Sequence, residues 1–192
     1  MSNIRVGTAS WADPDLVKSG LFYPPAAKSP EERLRYYCSQ FSMVEVDSSY
    51  YAMPSSQNSE KWAERSPADF IFNIKAFRLF TRHQTEPKVL PASIRNALPP
   101  MEKKILYYDD VPLELRDELW RQYKLAIEPL RQTGKLGAVH FQFPKWFIAD
   151  ARGYAHLEEI RERMAGYTLA IEFRQKSWFA PERADAMLEY ER

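Results

Sequence analysis

The chain of 192 residues has little of what marks specialised classes of protein. Its single cysteine, Cys38, excludes a disulfide framework within the chain and is typical of a reducing compartment. The formal net charge is +1, so overall charge indicates neither a nucleic-acid partner nor a membrane surface. No apolar run approaches the ~18 residues of a membrane span, and no N-terminal stretch resembles a signal peptide. We therefore expect a cytoplasmic protein with no membrane partner.

What the chain does have is an alternation of short apolar runs and amphipathic segments. The runs predict five strands, at residues 3–9, 43–47, 70–75, 136–143 and 168–174. The amphipathic segments predict helices at residues 29–41, 57–65, 113–130 and 156–164, and a last helix from Pro181 onward. Strands that alternate with helices are typical of a parallel sheet covered by helices. We expect a single α/β domain over residues 1–192, with a proline-rich insertion at residues 85–112.

The first of these helices has the clearest local signal. Ser29 is a typical N-cap, Pro30 follows at the first helical position, and Glu32 completes a capping box. Cys38 falls on the apolar stripe of this helix, so we expect a structural role for it.

Polar residues gather where the predicted strands end. Side chains alternate along a strand, so Glu45 and Asp47 share one face of the second strand. The same end of the other strands carries Lys75, Gln142, Glu172 and Arg174. Reactive groups gather at the carboxyl ends of parallel strands in α/β folds, so this coincidence predicts an active or binding site.

The same stretches of sequence resemble the YecE-like family, the domain of unknown function numbered seventy-two. The matching segments are GTASW (7–11), FYPP (22–25), VEVDSSYY (44–51), KWAERSPADFIFNIKA (61–76), TRH (81–83), GAVHFQFP (137–144) and AIEFRQKSW (170–178). The resemblance implies a (β/α)8 barrel of the TIM type and no defined activity. The chain departs from the family pattern at Asp47, where the family usually has Asn, and at Gln175 or Lys176, where it often has His.

The resemblance also implies that the barrel is incomplete at its C-terminus. A complete barrel takes ~250 residues, and this sequence shows five strand–helix units. Five strands in an open sheet would leave the first and fifth as unpaired edges. We therefore expect a truncated gene product, or a fragment that covers those edges by pairing with itself or with a second chain.

Three residues are the candidate catalytic groups. Glu45 and Glu172 can act as general acid and base, and His83, in the loop after Lys75, can assist proton transfer. The alternative for each carboxylate is simple neutralisation by a nearby cation, and for His83 a hydrogen bond to the backbone. His140 is expected to be a satisfied interior histidine, and His156 to lie on the surface.

The candidate substrate-binding residues surround these three. Lys75 and Arg174 can hold a negative charge, and Gln142 can orient a polar group, while Asp47 adds negative charge to the pocket. The loops after the strands carry aromatic side chains that can wall a pocket: Trp11, Tyr50, Tyr51 and Trp178. The alternative for these aromatic residues is packing within the loops.

No cofactor is expected. The sequence has no glycine-rich nucleotide motif and no HExxH or CxxC spacing. A weak Mg²⁺ or Mn²⁺ site at Glu45, Asp47 and Glu172 stays open as an alternative. Residues 75–104 carry seven Lys and Arg against two Glu, a local charge of +5, but such runs are usually solvated surface, so we do not expect a nucleic-acid partner.

The sequence therefore predicts acid–base chemistry on a small, polar and anionic substrate, without indicating which reaction. Two readings compete with this one. In the first, the chain is a binding module for nucleic acid or a protein partner. In the second, it is an inactive truncated barrel.

Overall fold

The computed structural model describes residues 4–100 and 103–181. Four strands are present: β1 (Met43–Val46), β2 (Ile71–Lys75), β3 (Leu136–Gln142) and β4 (Thr168–Glu172). The helices are α1 (Pro14–Lys18), α2 (Pro30–Gln40), α3 (Ser48–Tyr51), α4 (Ser56–Glu64), α5 (Ala92–Ala97), α6 (Leu113–Gln132) and α7 (Ala151–Arg163). Within the described ranges, no helix is both long enough and apolar enough to cross a membrane.

All four strands run parallel, in the sequential order β1-β2-β3-β4. Helices fill each connection, which confirms the predicted α/β class. The sheet formed by the described residues is open, so the closed barrel that the resemblance implies is not seen in this part of the chain. The predicted helix from Pro181 onward lies outside the described residues.

The predicted first strand is an extended segment beside β1 rather than a regular strand. Its backbone follows β1 in parallel: Glu45 N donates to Thr8 O at 3.1 Å, and Ser10 N donates to Glu45 O at 2.8 Å. Gly7 lies so close to the Met43 carbonyl that a Cβ there would overlap it. The segment thus adds one extended stretch of backbone to the edge of the sheet beside β1. Asn3, the first residue of the predicted strand, lies outside the described residues.

Helix α2 begins as the sequence predicts. Glu32 N donates to Ser29 Oγ at 3.2 Å, and Ser29 N donates to a Glu32 carboxylate oxygen at 2.8 Å, which completes the capping box. Cys38 is buried on the inner side of this helix. The cap therefore fixes where the helix starts and directs its apolar stripe into the core.

The segment 85–112 folds over α6 as more than a loose loop. It contains α5, two short 3₁₀ turns and a bridge in which Thr85 and Leu106 exchange backbone hydrogen bonds. Its side chains Leu90, Ile94 and Leu106 are buried in the common core.

The two faces of the sheet differ in β1, β2 and β3. On the outer face, apolar side chains are fully buried under the helices, among them Val44, Val46, Phe72, Ile74, Val139 and Phe141. The inner face carries half-buried polar side chains: Glu45, Asn73, Lys75, His140, Gln142 and Glu172. Strand periodicity thus separates the core from the candidate site.

One inner-face side chain also supplies a hydrogen bond where the backbone pairing of the sheet is irregular. The register between β2 and β3 shifts between Phe72 and Ile74. At that point the Asn73 side-chain oxygen accepts a hydrogen bond from Ala138 N at 2.8 Å. The side chain therefore takes the place of a missing backbone acceptor.

The expected surface position of His156 is wrong. Its side chain is buried, its Nε2 lies 2.8 Å from the Phe80 carbonyl oxygen, and its ring meets Tyr108 edge-on. The reason is that α7 starts at Ala151, five residues before the predicted start. His156 then lies on the same buried side as Leu157 and Ile160.

Candidate active site

Two carboxylates from different strands meet at one imidazole on the inner face. His140, on β3, lies between Glu45 of β1 and Glu172 of β4. His140 Nδ1 is 2.7 Å from Glu45 Oε2, and Nε2 is 3.3 Å from Glu172 Oε2. The predicted pair of carboxylates is therefore brought together through a histidine; we call these three residues the carboxylate–imidazole array.

The array holds negative charge at both ends. The hydrogen bond with His140 holds the pKa of Glu45 below its usual value, and the nearby Lys75 acts in the same direction. Burial alone would raise the pKa of Glu172, but hydrogen bonds from Gln142 and Arg174 outweigh it and lower that pKa. Both carboxylates are therefore ionised at neutral pH, and each can accept a hydrogen bond from an imidazole N–H.

The predicted binding residues surround the array, but their charges are already paired. Lys75 Nζ lies 2.6 Å from Asp47 Oδ1 and 3.9 Å from Glu45 Oε1. Arg174 Nε donates to Glu172 Oε1 at 2.7 Å, and Gln142 Nε2 donates to Glu172 Oε2 at 2.6 Å. Each carboxylate is thus neutralised by a neighbouring cation, as the structural alternative predicts. The same carboxylates also lie close enough together for acid–base chemistry.

His83 lies at the rim of the site, beside Tyr50. Its ring centre is 5.3 Å from that of Tyr50, and its Nδ1 is 2.8 Å from Thr81 Oγ1. Burial, with the positive charges of Arg78, Arg174 and Lys75, lowers the pKa of His83 to about 4. His83 is therefore neutral at pH 7 and suits hydrogen bonding better than carrying a proton.

The four aromatic candidates divide into two pairs. Tyr50 is half-buried with the Lys75 ammonium 5.8 Å from its ring centre, and Tyr51 packs edge-on against it and is exposed. Trp11 packs against Trp62 in the core.

Trp178 likewise stacks on Phe173, and its indole N–H donates to the Phe147 carbonyl at 2.7 Å. As a correction to the sequence-based expectation, Trp11 and Trp178 pack in the core and do not wall a pocket. Only 8% of the surface of Trp11 and 1% of the surface of Trp178 is exposed.

The carboxylates do not suit a metal ion as they are arranged. Lys75, His140 and Arg174 occupy the oxygen atoms that a divalent cation would need. Among the described residues, no group of three or more His, Cys, Asp and Glu side chains is placed to hold a metal. The alternative of a Mg²⁺ or Mn²⁺ site therefore gains no support from the geometry of the described residues.

Two grooves formed by the described residues lie away from the array. One of about 400 Å³ is lined by residues such as Met53, Leu90 and Leu125, and one of about 380 Å³ by residues such as Arg82 and Trp146. The array instead occupies the open inner face of the sheet. The walls of the first groove are mainly apolar and hold no titratable side chain.

Comparison with known proteins agrees with the fold. The model of the family described as "Protein of unknown function DUF72" matches residues 5–192. The chain belongs to the DUF72 family. The name YecE-like refers to this same family, so the resemblance found in the sequence is confirmed.

Relatives of the DUF72 chain include proteins of known sequence and of known structure. The UPF0759 protein YunF of Bacillus subtilis (strain 168) is 31% identical over 178 residues, which are 93% of this chain and 53% of YunF. A DUF72 family protein from Enterococcus faecalis V583 superposes with a TM-score of 0.70 at 22% identity, over 98% of this chain and 57% of that one. A DUF72 family protein from Thermotoga maritima MSB8 gives 0.68 at 25% identity, over 98% and 62%. The chain thus spans a little over half the length of these relatives.

Two groups of this DUF72 site were missed by sequence reasoning. His140 shares a strand face with Gln142, two residues on, so its direction was readable from the sequence, but its contact with carboxylates of two other strands was not. Arg78 follows Lys75 in a loop, where no periodicity indicates the direction of a side chain.

Proposed function

We propose that this chain forms part of a TIM-barrel enzyme that performs acid–base chemistry on a small, polar and anionic substrate. The support for the barrel is the unbroken parallel order of the strands, each joined to the next by a helical connection. In such barrels the reacting groups project from the carboxyl ends of the strands. The array and its neighbours occupy that end.

The observation that carries this proposal is the position of His140 between Glu45 and Glu172. A histidine whose two nitrogens face two carboxylates has a fixed ring orientation, as catalytic histidines have when a carboxylate holds them. In the proposed mechanism, Glu45 and Glu172 exchange protons with the substrate directly, and His140 between them holds both carboxylates in position. Gln142 orients the polar substrate, Tyr50 and Tyr51 form the rim, and neutral His83 donates or accepts a hydrogen bond there.

Lys75 and Arg174 keep their predicted role with one refinement. Each already pairs with a carboxylate, Lys75 with Asp47 and Arg174 with Glu172. In the proposed site they hold these carboxylates in place and exchange part of this pairing for the negative charge of the substrate. The proposed reaction uses no cofactor. We propose that it takes place in the cytoplasm, where an unpaired cysteine such as Cys38 stays reduced.

Thermal melts in the presence of metabolites test this function. The compounds are phosphorylated, carboxylated and sugar metabolites, each also tested with divalent metals. A ligand that binds only the folded state adds about 2.7 kcal/mol of stability at a hundredfold excess over Kd, which raises Tm by about 2–4 °C per kcal/mol in a domain of this size.

Two variants give these melts their control. Glu172→Gln removes one end of the array, whereas Glu118→Gln removes a carboxylate that pairs with Arg121 on the exposed surface of α6. We expect one chemical class to raise Tm in the wild type and in Glu118→Gln, and to raise it less in Glu172→Gln. Equal shifts in all three proteins, or no shift with any compound, would contradict the proposal.

A second candidate function is assembly through the sheet edge. In the described residues β4 pairs only with β3, and its apolar side chains Leu169 and Ile171 are half-exposed. An unpaired edge is a template for another strand. Light scattering of the purified chain separates the two candidates: a dimer favours assembly, and a monomer that keeps the ligand response favours the enzyme.

Nucleic-acid binding gains no support from the described surface. The basic run at residues 75–104 meets acidic partners, since Arg82 pairs with Asp109, Lys103 with Asp110 at 2.8 Å, and Lys88 with Glu86 at 2.6 Å. These pairs remove much of the local positive charge that phosphates would need.

A further inference from the structure

The cations around the candidate site differ in whether a carboxylate neutralises them. Lys75 and Arg174 each pair with a carboxylate, as described above. Arg78 makes no ion pair with any residue in the ranges 4–100 and 103–181. Its contact is with the Tyr50 ring, whose centre lies 5.3 Å from the guanidinium carbon.

Arg78 also has an unsatisfied donor. Its Nε is buried and has no hydrogen-bond partner among the residues that the structure describes. Leaving a buried donor unpaired is costly, and more so for a charged group. A guanidinium presents its donors as a planar fork that matches carboxylate and phosphate oxygens, so an anion is the ligand that would satisfy it best.

The surroundings of Arg78 leave room for such a group. A small cavity of about 110 Å³ is lined by Arg78, Gln84, Thr85, Glu86, Val89 and Ile105. At about 30 Å³ for each water in the liquid, this is space for roughly three or four water-sized groups. The one acidic wall residue, Glu86, is paired with Lys88 and adds no surplus negative charge.

Arg78 lines this cavity and also contacts the Tyr50 ring near the array. The Lys75 ammonium lies 5.8 Å from the centre of the same ring that Arg78 covers. The positive surroundings also contribute to the lowered pKa of His83, for which Arg78 is the strongest of the three cations. Arg78 and Lys75 thus contact the same tyrosine ring, which connects the wall of the cavity to the surroundings of the array.

We propose that Arg78 is an anion-recognition residue of this site, and that its guanidinium binds the phosphate or carboxylate group of a small substrate in the cavity that Arg78 lines. This inference rests on the proposed function for the identity of the ligand as substrate. It goes beyond that function by adding Arg78, which forms no ion pair within the described residues, to Lys75 and Arg174 as a group that recognises the negative charge of the substrate.

Calorimetric titration with inorganic phosphate and, separately, with malonate tests the assignment. Arg78→Gln should raise the Kd of the bound anion at least about tenfold, since charge-assisted hydrogen bonds are lost. Arg78→Lys keeps the charge but loses the fork, so we expect an intermediate weakening. Binding of phosphate alone indicates a phosphorylated substrate, and binding of malonate alone a carboxylated one.

Arg116→Gln is the matched control. Arg116 also has a buried, unpaired Nε and also covers a tyrosine ring, at 5.0 Å from Tyr108, but Asp109 lies 3.9 Å away as its counter-charge. We expect the Kd of this variant to stay within about twofold of the wild type. If Arg78→Gln does not fold, Arg78→Lys decides.

The assignment is overturned if the wild type binds neither anion, or if the Arg78 variants that fold bind as tightly as the wild type. Glu172→Gln separates this result from the proposed function, because anion binding at Arg78 does not require the array. Anion binding that depends on Arg78, with no metabolite response that depends on Glu172, supports the subsite and rejects the enzyme. The reverse pattern rejects the subsite alone.

Discussion

The two faces of one sheet have opposite characters. Residues 139 and 141 point into a core of apolar side chains with no exposed surface, while His140, between them, lies among charged groups on the other face. Parallel strands are usually buried on both faces and apolar throughout. Here β1, β2 and β3 alternate, so the outer face supplies the stability and the inner face is left to polar chemistry.

The largest difference should appear when one side chain is removed from each face. Phe141→Ala leaves a cavity beside Trp120 and should lower the free energy of unfolding by about 3–5 kcal/mol. Glu172→Gln, on the inner face, should lower it by less than about 1 kcal/mol, because its partners are partly exposed. Urea denaturation measures both. Similar losses in the two variants would mean that the faces do not divide stability and chemistry in this way.

A smaller loss is expected where the inner face does carry stability. Lys75→Met leaves Asp47 and Glu45 without their counter-charge, and Lys75 is only 13% exposed. The free energy of unfolding should fall by about 1–3 kcal/mol, between the values for exposed and buried pairs.

Lys75→Arg is the matched control for that variant, because it keeps the charge and should retain most of the stability in the same urea titration. A Lys75→Met protein as stable as the wild type would show that the ion pair contributes nothing to the fold.

Sequence periodicity was sufficient to predict which face of a strand each side chain lies on. It was insufficient to predict which side chains of different strands come into contact. Alternation within each strand placed Glu45, Lys75, Gln142 and Glu172 on one side, because strand geometry is local. The contact of His140 with carboxylates of β1 and β4 was not predictable, since it depends on the order and register of three strands.

Loop side chains were harder to predict. Trp11 and Trp178 lie outside the strands, where the sequence does not indicate direction, and tertiary packing drew both into the core. His156 was misplaced because the N-cap of α7, Asp150, was not recognised ahead of Gly153. The true start of the helix turns His156 inward.

The smallest of the expected effects concerns pH. The pKa of His83 is about 4 in the folded protein against an ordinary value of 6.5. The unfolded chain therefore binds this proton first as pH falls, so the contribution of His83 to stability is complete above pH 6.5 and is lost progressively towards pH 4.

After allowance for solvent screening, the loss amounts to on the order of 1 kcal/mol. His83→Gln should flatten the dependence of the urea midpoint on pH between 6.5 and 5, above the range where carboxylates titrate. An unchanged slope in this variant would contradict the assigned environment of His83.

The central claim is that Glu45 and Glu172 act as one unit through His140, and a double-mutant cycle tests it without any ligand. Urea denaturation gives the free energies of unfolding of the wild type, Glu45→Gln, Glu172→Gln and the double variant, and the same set in a His140→Asn background. We predict a coupling of about 0.5–3 kcal/mol between the two carboxylates, which disappears without the imidazole. Effects that add within about 0.5 kcal/mol in the presence of His140 would contradict the account.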